Sequence, residues 1–340
     1  MKKKLLYIMI FTMLISLMAC GKKNATSDEN SSKGSTDAIE LKLGHAMSEG
    51  TNATNLIHEF AVKVGEETEG RVKIEDFPNS QLGSETDMLE QIQLGSLDAG
   101  AIMTGSMQAI EPKMAIEDLP YMWKDIDHAR NAFDGEFGDY LGKLMENYGL
   151  QKIGFIEWGY REITNNKKPI VKPEDLKGMK IRVAQNKLRV DAFEKLGALP
   201  TMLAFSELYG ALQQGVVDSQ ENPLANIVAA NFNEVQKYLS ITDHFYNQAM
   251  VVVNKDTWEK INEGDRKIIL DCMNELSEKI KDANDKDHNL YIETLRSRGM
   301  EINDNVDKDA FRKAMLPVYE EWSTTFGDEL MKIYNEASGW

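Results

Sequence analysis

In LKGMKIRVAQNK, residues 176–187, Met179, Ile181 and Val183 alternate with Lys180 and Arg182. That is the period-two pattern of a half-buried strand, and it turns Arg182 away from the apolar face. Two readings follow. Arg182 is solvated, as most arginines are, or it faces a cleft and holds an anion. A second arginine, Arg161, ends the strand-like run QKIGFIEWGY, where an arginine is usually exposed. Trp158 and Tyr160 beside it read first as packing, and second as the apolar wall of a ligand site. His45 follows the first strand, IELKL. There it would either line a cleft or hydrogen-bond the loop backbone.

Motifs for catalysis are missing. None of the five histidines is paired at metal-ligand spacing, and there is no H-E-x-x-H or C-x-x-C. No G-x-S-x-G elbow and no Walker-type phosphate loop occurs. The acidic runs DANDKDHN and NDNVDKD read as a solvated helix face and a helix-capping loop, since neither has the glycine of a calcium loop. The chain therefore does not read as an enzyme, and it needs neither cofactor nor metal. Its 340 residues carry a net charge of −16, which argues against binding nucleic acid. Any anionic ligand must be caught by locally placed cations.

The N-terminus reads as an export signal. Three lysines precede the apolar run 5–19, which is short for a membrane span. It closes on Leu17-Met18-Ala19-Cys20, similar to the lipobox of bacterial lipoproteins, in which the cysteine carries lipid. Residues 21–38 are rich in Ser, Asn, Gly and charge and read as a flexible linker. Cys272 is the only other cysteine, so a lipidated Cys20 leaves no internal disulfide. Cys272 falls on an apolar helix face and reads as a core thiol.

The elements around these residues are α/β in type. Strands are predicted at 39–43 and 71–77, with a helix over about 52–68 between them. Ser84 and Asp87 have capping-box spacing at the head of another helix, stopped by Gly95. SLDAGAIM then reads as a buried strand. A similar series recurs as KIRVAQ, SELYGALQQG and VVDSQENP. The signature Gln-x-Gly-x-x-Asp occurs at 93–98 and again at 213–218. Two matching α/β lobes, or a chance likeness of two turns, would produce it. Residues 266–298 contain no Gly or Pro and predict a helix of roughly 50 Å. A strand at 300–302 and two terminal helices close the chain.

Five stretches, taken together, resemble the DctP-type solute-binding proteins of tripartite ATP-independent periplasmic (TRAP) transporters. They are residues 77–98, WGYREITN, PEDLKGMKIRV, residues 196–223 and residues 233–244. The resemblance covers about nine-tenths of the chain. It implies a two-lobed periplasmic-binding-protein-like fold with a β-sheet in each lobe, hinge strands and a long helix spanning both lobes. On this basis 1–19 is the signal peptide and 20–38 the lipidated cysteine and linker. Lobe I is 39–158 plus about 248–287, and lobe II is 159–247 plus about 288–340.

The resemblance also implies the function: an extracytoplasmic receptor, expected as a monomer, that takes a small organic carboxylate to a TRAP permease. The carboxylate would be a C4-dicarboxylate or a sugar acid. Arg182 would form the two-pronged ion pair with it, helped by Arg161 and Asn222. Gln185 and Phe205 fall at pocket positions, and His45, Trp158 and Glu207 are further candidates. Ala46 and Met103 stand where sialic-acid-binding members place polar contacts, which argues against sialate. The alternative is a sensory subunit using the same cleft to feed a signalling partner.

Overall fold

The computed structural model describes residues 38–340. The expected signal peptide, the lipid-bearing Cys20 and the linker as far as residue 37 lie outside the described residues.

The first unit runs β1 (Ile39–His45), α1 (Asn52–Glu67), β2 (Val72–Phe77), α2 (Glu85–Gln93) and β3 (Ala99–Met103). β1 lies between β2 and β3, parallel to both. Helices α3 (Ile126–Phe133) and α4 (Glu136–Glu146) lead into β4 (Leu150–Asn165). The second unit is β5 (Lys180–Val183), α5 (Lys187–Lys195), β6 (Leu199–Met202), α6 (Phe205–Gln213) and β7 (Ser219–Pro223). β5 lies between β6 and β7, again parallel to both. The two units thus share one element order and one strand arrangement. The chain continues through α7 (Leu224–Ala229), β8 (Tyr238–Ser240), β9 (Tyr246–Asn254), α8 (Lys255–Lys260), α9 (Glu263–Ser297), β10 (Glu301–Asn303), α10 (Lys308–Met315) and α11 (Pro317–Ala337).

The repeated signature has a physical cause. Gly95 and Gly215 end α2 and α6 at φ of +72° and +68°, the left-handed region that favours glycine. Three residues later an aspartate reaches back to the first strand of its own unit. Asp98 Oδ2 accepts the Lys42 N–H at 3.0 Å, and Asp218 Oδ2 accepts the Lys180 N–H at 3.4 Å. The expected capping box also forms. Ser84 Oγ accepts the Asp87 N–H at 3.2 Å, and Asp87 Oδ2 accepts the Ser84 N–H at 2.9 Å.

β4 joins the two units. Its first part, Leu150 to Tyr160, pairs antiparallel with β9, and Arg161 to Asn165 pairs with β7. The sheet is continuous in the order β2-β1-β3-β9-β4-β7-β5-β6, with β8 pairing β4 and β10. The sheet of each lobe is therefore one half of a shared sheet. The register slips between Glu157 and Gly159, so Trp158 sits in a bulge, and Gly159 has φ +88°.

No element is predicted over YNQAMVVVN, yet β9 is a strand buried along its whole length. It has a strand on each side. Met250 and Val252 enter the core on one face, Val251 and Val253 the core on the other. Such a strand shows no alternation. Helix α9 is 35 residues long and is capped by Asn262, whose Oδ1 accepts the Asp265 N–H at 3.0 Å. Ile269, Cys272, Met273, Leu276 and Ile280 pack into the core beneath the first unit, and Leu295 into that of the second. The helix approaches β4 closely at Gly154, where a Cβ would lie 2.5 Å from Met273 Cγ.

Candidate functional site

Three neighbouring strands bring the anion-binding candidates together. β7 pairs antiparallel with β4, setting Arg161 opposite Pro223 and Glu162 opposite Asn222. β7 also pairs parallel with β5, setting Arg182 beside Gln220. Arg161, Arg182 and Asn222 line one cavity. Gln185, Phe205 and the bulged Trp158 line it as well. The first unit closes the opposite side with Ala46, Ser80, Ser84, Glu85 and Met103.

The alternation at Met179–Val183 is now resolved. Ile181 and Val183 enter the apolar core, while Arg182 faces the cavity and is only 3% exposed. Its Nε and Nη2 donate to the Leu203 carbonyl at 2.9 and 2.6 Å. That bond fixes one edge of the guanidinium. Nη1 and the second proton of Nη2 remain as a fork. Among the described residues no carboxylate forms an ion pair with Arg182. Burial pulls its pKa down to about 9, with Glu221 opposing the fall and Arg161 and Arg189 deepening it.

Arg161 has a partner on one side only. Its Nε bonds the Glu221 carboxylate, and its Nη2 donates to Glu221 Oε1 at 3.1 Å and to the Glu221 carbonyl at 2.7 Å. Nη2 also lies 3.3 Å from Asn222 Oδ1. Nη1 is buried and has no partner. Beyond Glu221 lies Arg189, wholly buried. It donates to Glu221 Oε1 at 3.1 Å, to Asp118 Oδ1 at 2.6 and 2.9 Å, and to Asn247 Oδ1 at 2.7 Å. Burial alone would raise the Glu221 pKa, but the two guanidiniums hold it far below the usual carboxylate range.

Sequence reasoning missed Arg189, Glu221 and Asp118. A signal for Arg189 exists. Leu188, Ala192 and Phe193 form the buried face of α5, and Arg189 lies within the same arc. Asn186 starts that helix by accepting the Arg189 N–H at 3.1 Å. Glu85 was also missed. It opens α2, and its carboxylate accepts the Met103 N–H at 2.8 Å and the Ser106 hydroxyl at 2.9 Å.

Two candidates lie away from the cavity lining. Glu207 is exposed, because its place in the first turn of α6 directs its carboxylate back to the Ala204 N–H, 3.2 Å away. His45 shares the face of Leu41 and Leu43, is fully buried, and has no hydrogen-bond partner on either ring nitrogen. It meets neither the cleft nor the loop backbone. Burial pushes its pKa down to about 4, against a small opposing pull from Asp76.

Two outcomes are expected. Arg189→Ala leaves Asp118 and Glu221 without their shared cation and should destabilise the fold by about 3–5 kcal/mol. A urea midpoint equal to the wild type would show that the network carries no net stability. His45 stays neutral in the folded protein down to about pH 4, whereas the unfolded chain takes up its proton near pH 6.5. Protons therefore favour the unfolded state first, and stability should fall by about 3 kcal/mol through this group as pH drops across that window. In His45→Met the loss between those pH values should shrink accordingly. An equal slope in both proteins would remove His45 as the cause.

Comparison with known proteins agrees over most of the chain. Residues 43–325 match the model of the DctP family, described as bacterial extracellular solute-binding protein, family 7. A solute-binding protein of Verminephrobacter eiseniae is 33% identical over 297 residues, which is 87% of this chain and 89% of that one. A TRAP periplasmic solute-binding protein from Polaromonas sp. JS666, solved bound to D-erythronate, is 35% identical with a TM-score of 0.83, covering 87% of this chain and 98% of that one. Its counterpart from Sulfurospirillum deleyianum, solved with succinate, is 31% identical with a TM-score of 0.83, covering 88% and 100%. This chain belongs to family 7 of the bacterial extracellular solute-binding proteins, the DctP solute receptors of TRAP transporters, which are transport receptors and not enzymes.

Proposed function

We propose that this receptor captures a small organic carboxylate between its lobes and delivers it to a TRAP permease in the membrane. The observation that carries this reading is Arg182, a buried guanidinium lining a cavity with no acidic ion-pair partner among the described residues. A bound carboxylate would return what burial takes from its charge. The fork of Nη1 and Nη2 matches two carboxylate oxygens. Nη1 of Arg161 and the amide of Asn222 lie on the same cavity and would complete the clamp. The family makes permease subunits the partners. The erythronate and succinate of the two solved relatives are both small carboxylates.

The lobe limits are part of the proposal: 39–158 with about 248–287, and 159–247 with about 288–340. The exchange of β9 for β7 as the partner of β4, between Tyr160 and Arg161, supports the first boundary. Attachment to the outer face of the membrane through lipidated Cys20 rests on the sequence Leu17-Met18-Ala19-Cys20 and the polar stretch after it.

A thermal-shift screen of organic acids should identify ligands, because one at 100 times its Kd adds about 2.7 kcal/mol of stability. With a hit in hand, calorimetry on Arg182→Ala should show a loss of about 2–5 kcal/mol of binding. Arg182→Lys should also bind poorly, having lost the fork. Wild-type affinity in Arg182→Ala would refute the clamp. For the anchor, Cys20→Ser should move the full-length protein from the membrane fraction to the soluble one. Unchanged partitioning would refute lipid attachment there.

A further inference from the structure

The cavity has an uneven distribution of charge. Two of the three buried arginines have resident partners. Glu221 bonds Arg161 and Arg189, and Asp118 bonds Arg189. Arg182 alone has no carboxylate in direct ion-pair contact among the described residues, so it is the place for one ligand carboxylate. A second carboxylate would need a second cation on the far wall. No Lys, Arg or His of the first unit lines the cavity among the described residues. That wall presents Ala46, Met103, serine hydroxyls and the carboxyl group of Glu85.

Glu85 is held in place from behind. The Met103 N–H and the Ser106 hydroxyl each donate to one of its oxygens, at 2.8 and 2.9 Å. Burial pushes its carboxyl pKa up, and these two donors, with Arg189 and Arg161 nearby, oppose that rise. Among the described residues no cation pairs with it directly, although its charge is felt at Arg182. Each oxygen keeps accepting capacity after its one protein bond. A ligand hydroxyl can donate to it. A ligand carboxylate cannot, and would meet a like charge there.

We infer that this receptor selects hydroxylated acids bearing a single carboxylate and rejects the corresponding dicarboxylates, with Glu85 as the residue that sets this specificity. The inference rests on the carboxylate reading of the cleft. The ligand enters with its carboxylate on Arg182 and its hydroxyl-bearing end toward Glu85. Gln185 and Ser80, on the same cavity, offer further neutral hydrogen bonds.

Acids that differ only at the far end test this directly. D-Erythronate and meso-tartrate form one such pair, D-galactonate and galactarate another. Each pair exchanges a terminal hydroxymethyl group for a carboxylate. Calorimetry on the wild-type protein, within a wider panel of mono- and dicarboxylates, should give the monocarboxylate of a pair an advantage of at least about tenfold. Glu85→Gln keeps the shape and removes the charge, its amide oxygen accepting the Met103 N–H and its NH2 donating to the Ser106 hydroxyl oxygen. It should narrow that ratio by at least about threefold, chiefly by improving dicarboxylate binding. A dicarboxylate as the tightest wild-type ligand, or equal affinities within a binding pair, overturns the inference and leaves the carboxylate reading standing. A ratio that Glu85→Gln does not change overturns the role of Glu85. If no acid of either class binds, the carboxylate reading falls and the inference falls with it.

Discussion

Glu221, held between Arg161 and Arg189, is the interaction on which the cleft depends. Without its negative charge two guanidiniums would face each other in a region closed to water, where like charges repel strongly. With it, β4, β7 and α5 are bound into one cluster, and Asp118 and Asn247 extend that cluster to the segment before α3 and to β9. The cleft inherits its geometry from these bonds. Arg161 turns its Nε and Nη2 to Glu221 and keeps Nη1 for the cavity. Arg182 gives one edge to the Leu203 carbonyl and keeps the other. What the site offers a ligand is the bonding capacity that the protein leaves unused.

Much of the fold is legible in the sequence because it lies at surfaces between water and core. β1, α1 and β2 alternate or repeat as their periods demand, and Ser84 and Asp87 mark a helix start by spacing alone. The signature Gln-x-Gly-x-x-Asp marks the same turn twice for a reason that spacing does not disclose. Its aspartate ties the third strand of each unit to the first. β9 is hidden for the opposite reason. A strand flanked by strands, with core on both faces, has no polar side to alternate with.

The site is only partly legible. Alternation turns Arg182 away from the core but does not say what it meets, and the family resemblance supplied the cavity. That resemblance also drew Arg161 and Asn222 to the same place, where Arg161 Nη2 lies 3.3 Å from Asn222 Oδ1. The further candidates His45 and Glu207 lie off the cavity lining, because the direction of a side chain depends on its local surroundings. One turn of α6 is enough to send the Glu207 carboxylate back to its own backbone. The resident acids escaped notice because their partners are distant in sequence. Asp118 and Arg189 lie 71 residues apart, and Arg161 and Glu221 lie 60 apart.

The continuity of β4 limits how the two halves can move. Separate sheets can slide past one another, but halves that share a strand cannot slide without breaking its ladder. Flexure remains, and it is easiest where the ladder is already irregular, at Trp158 and Gly159. Trp158 lines the arginine cavity and also a second groove walled by Tyr160, His288 and Tyr291. The indole is a wall of both hollows, so a change in the bend of β4 at this point reaches both.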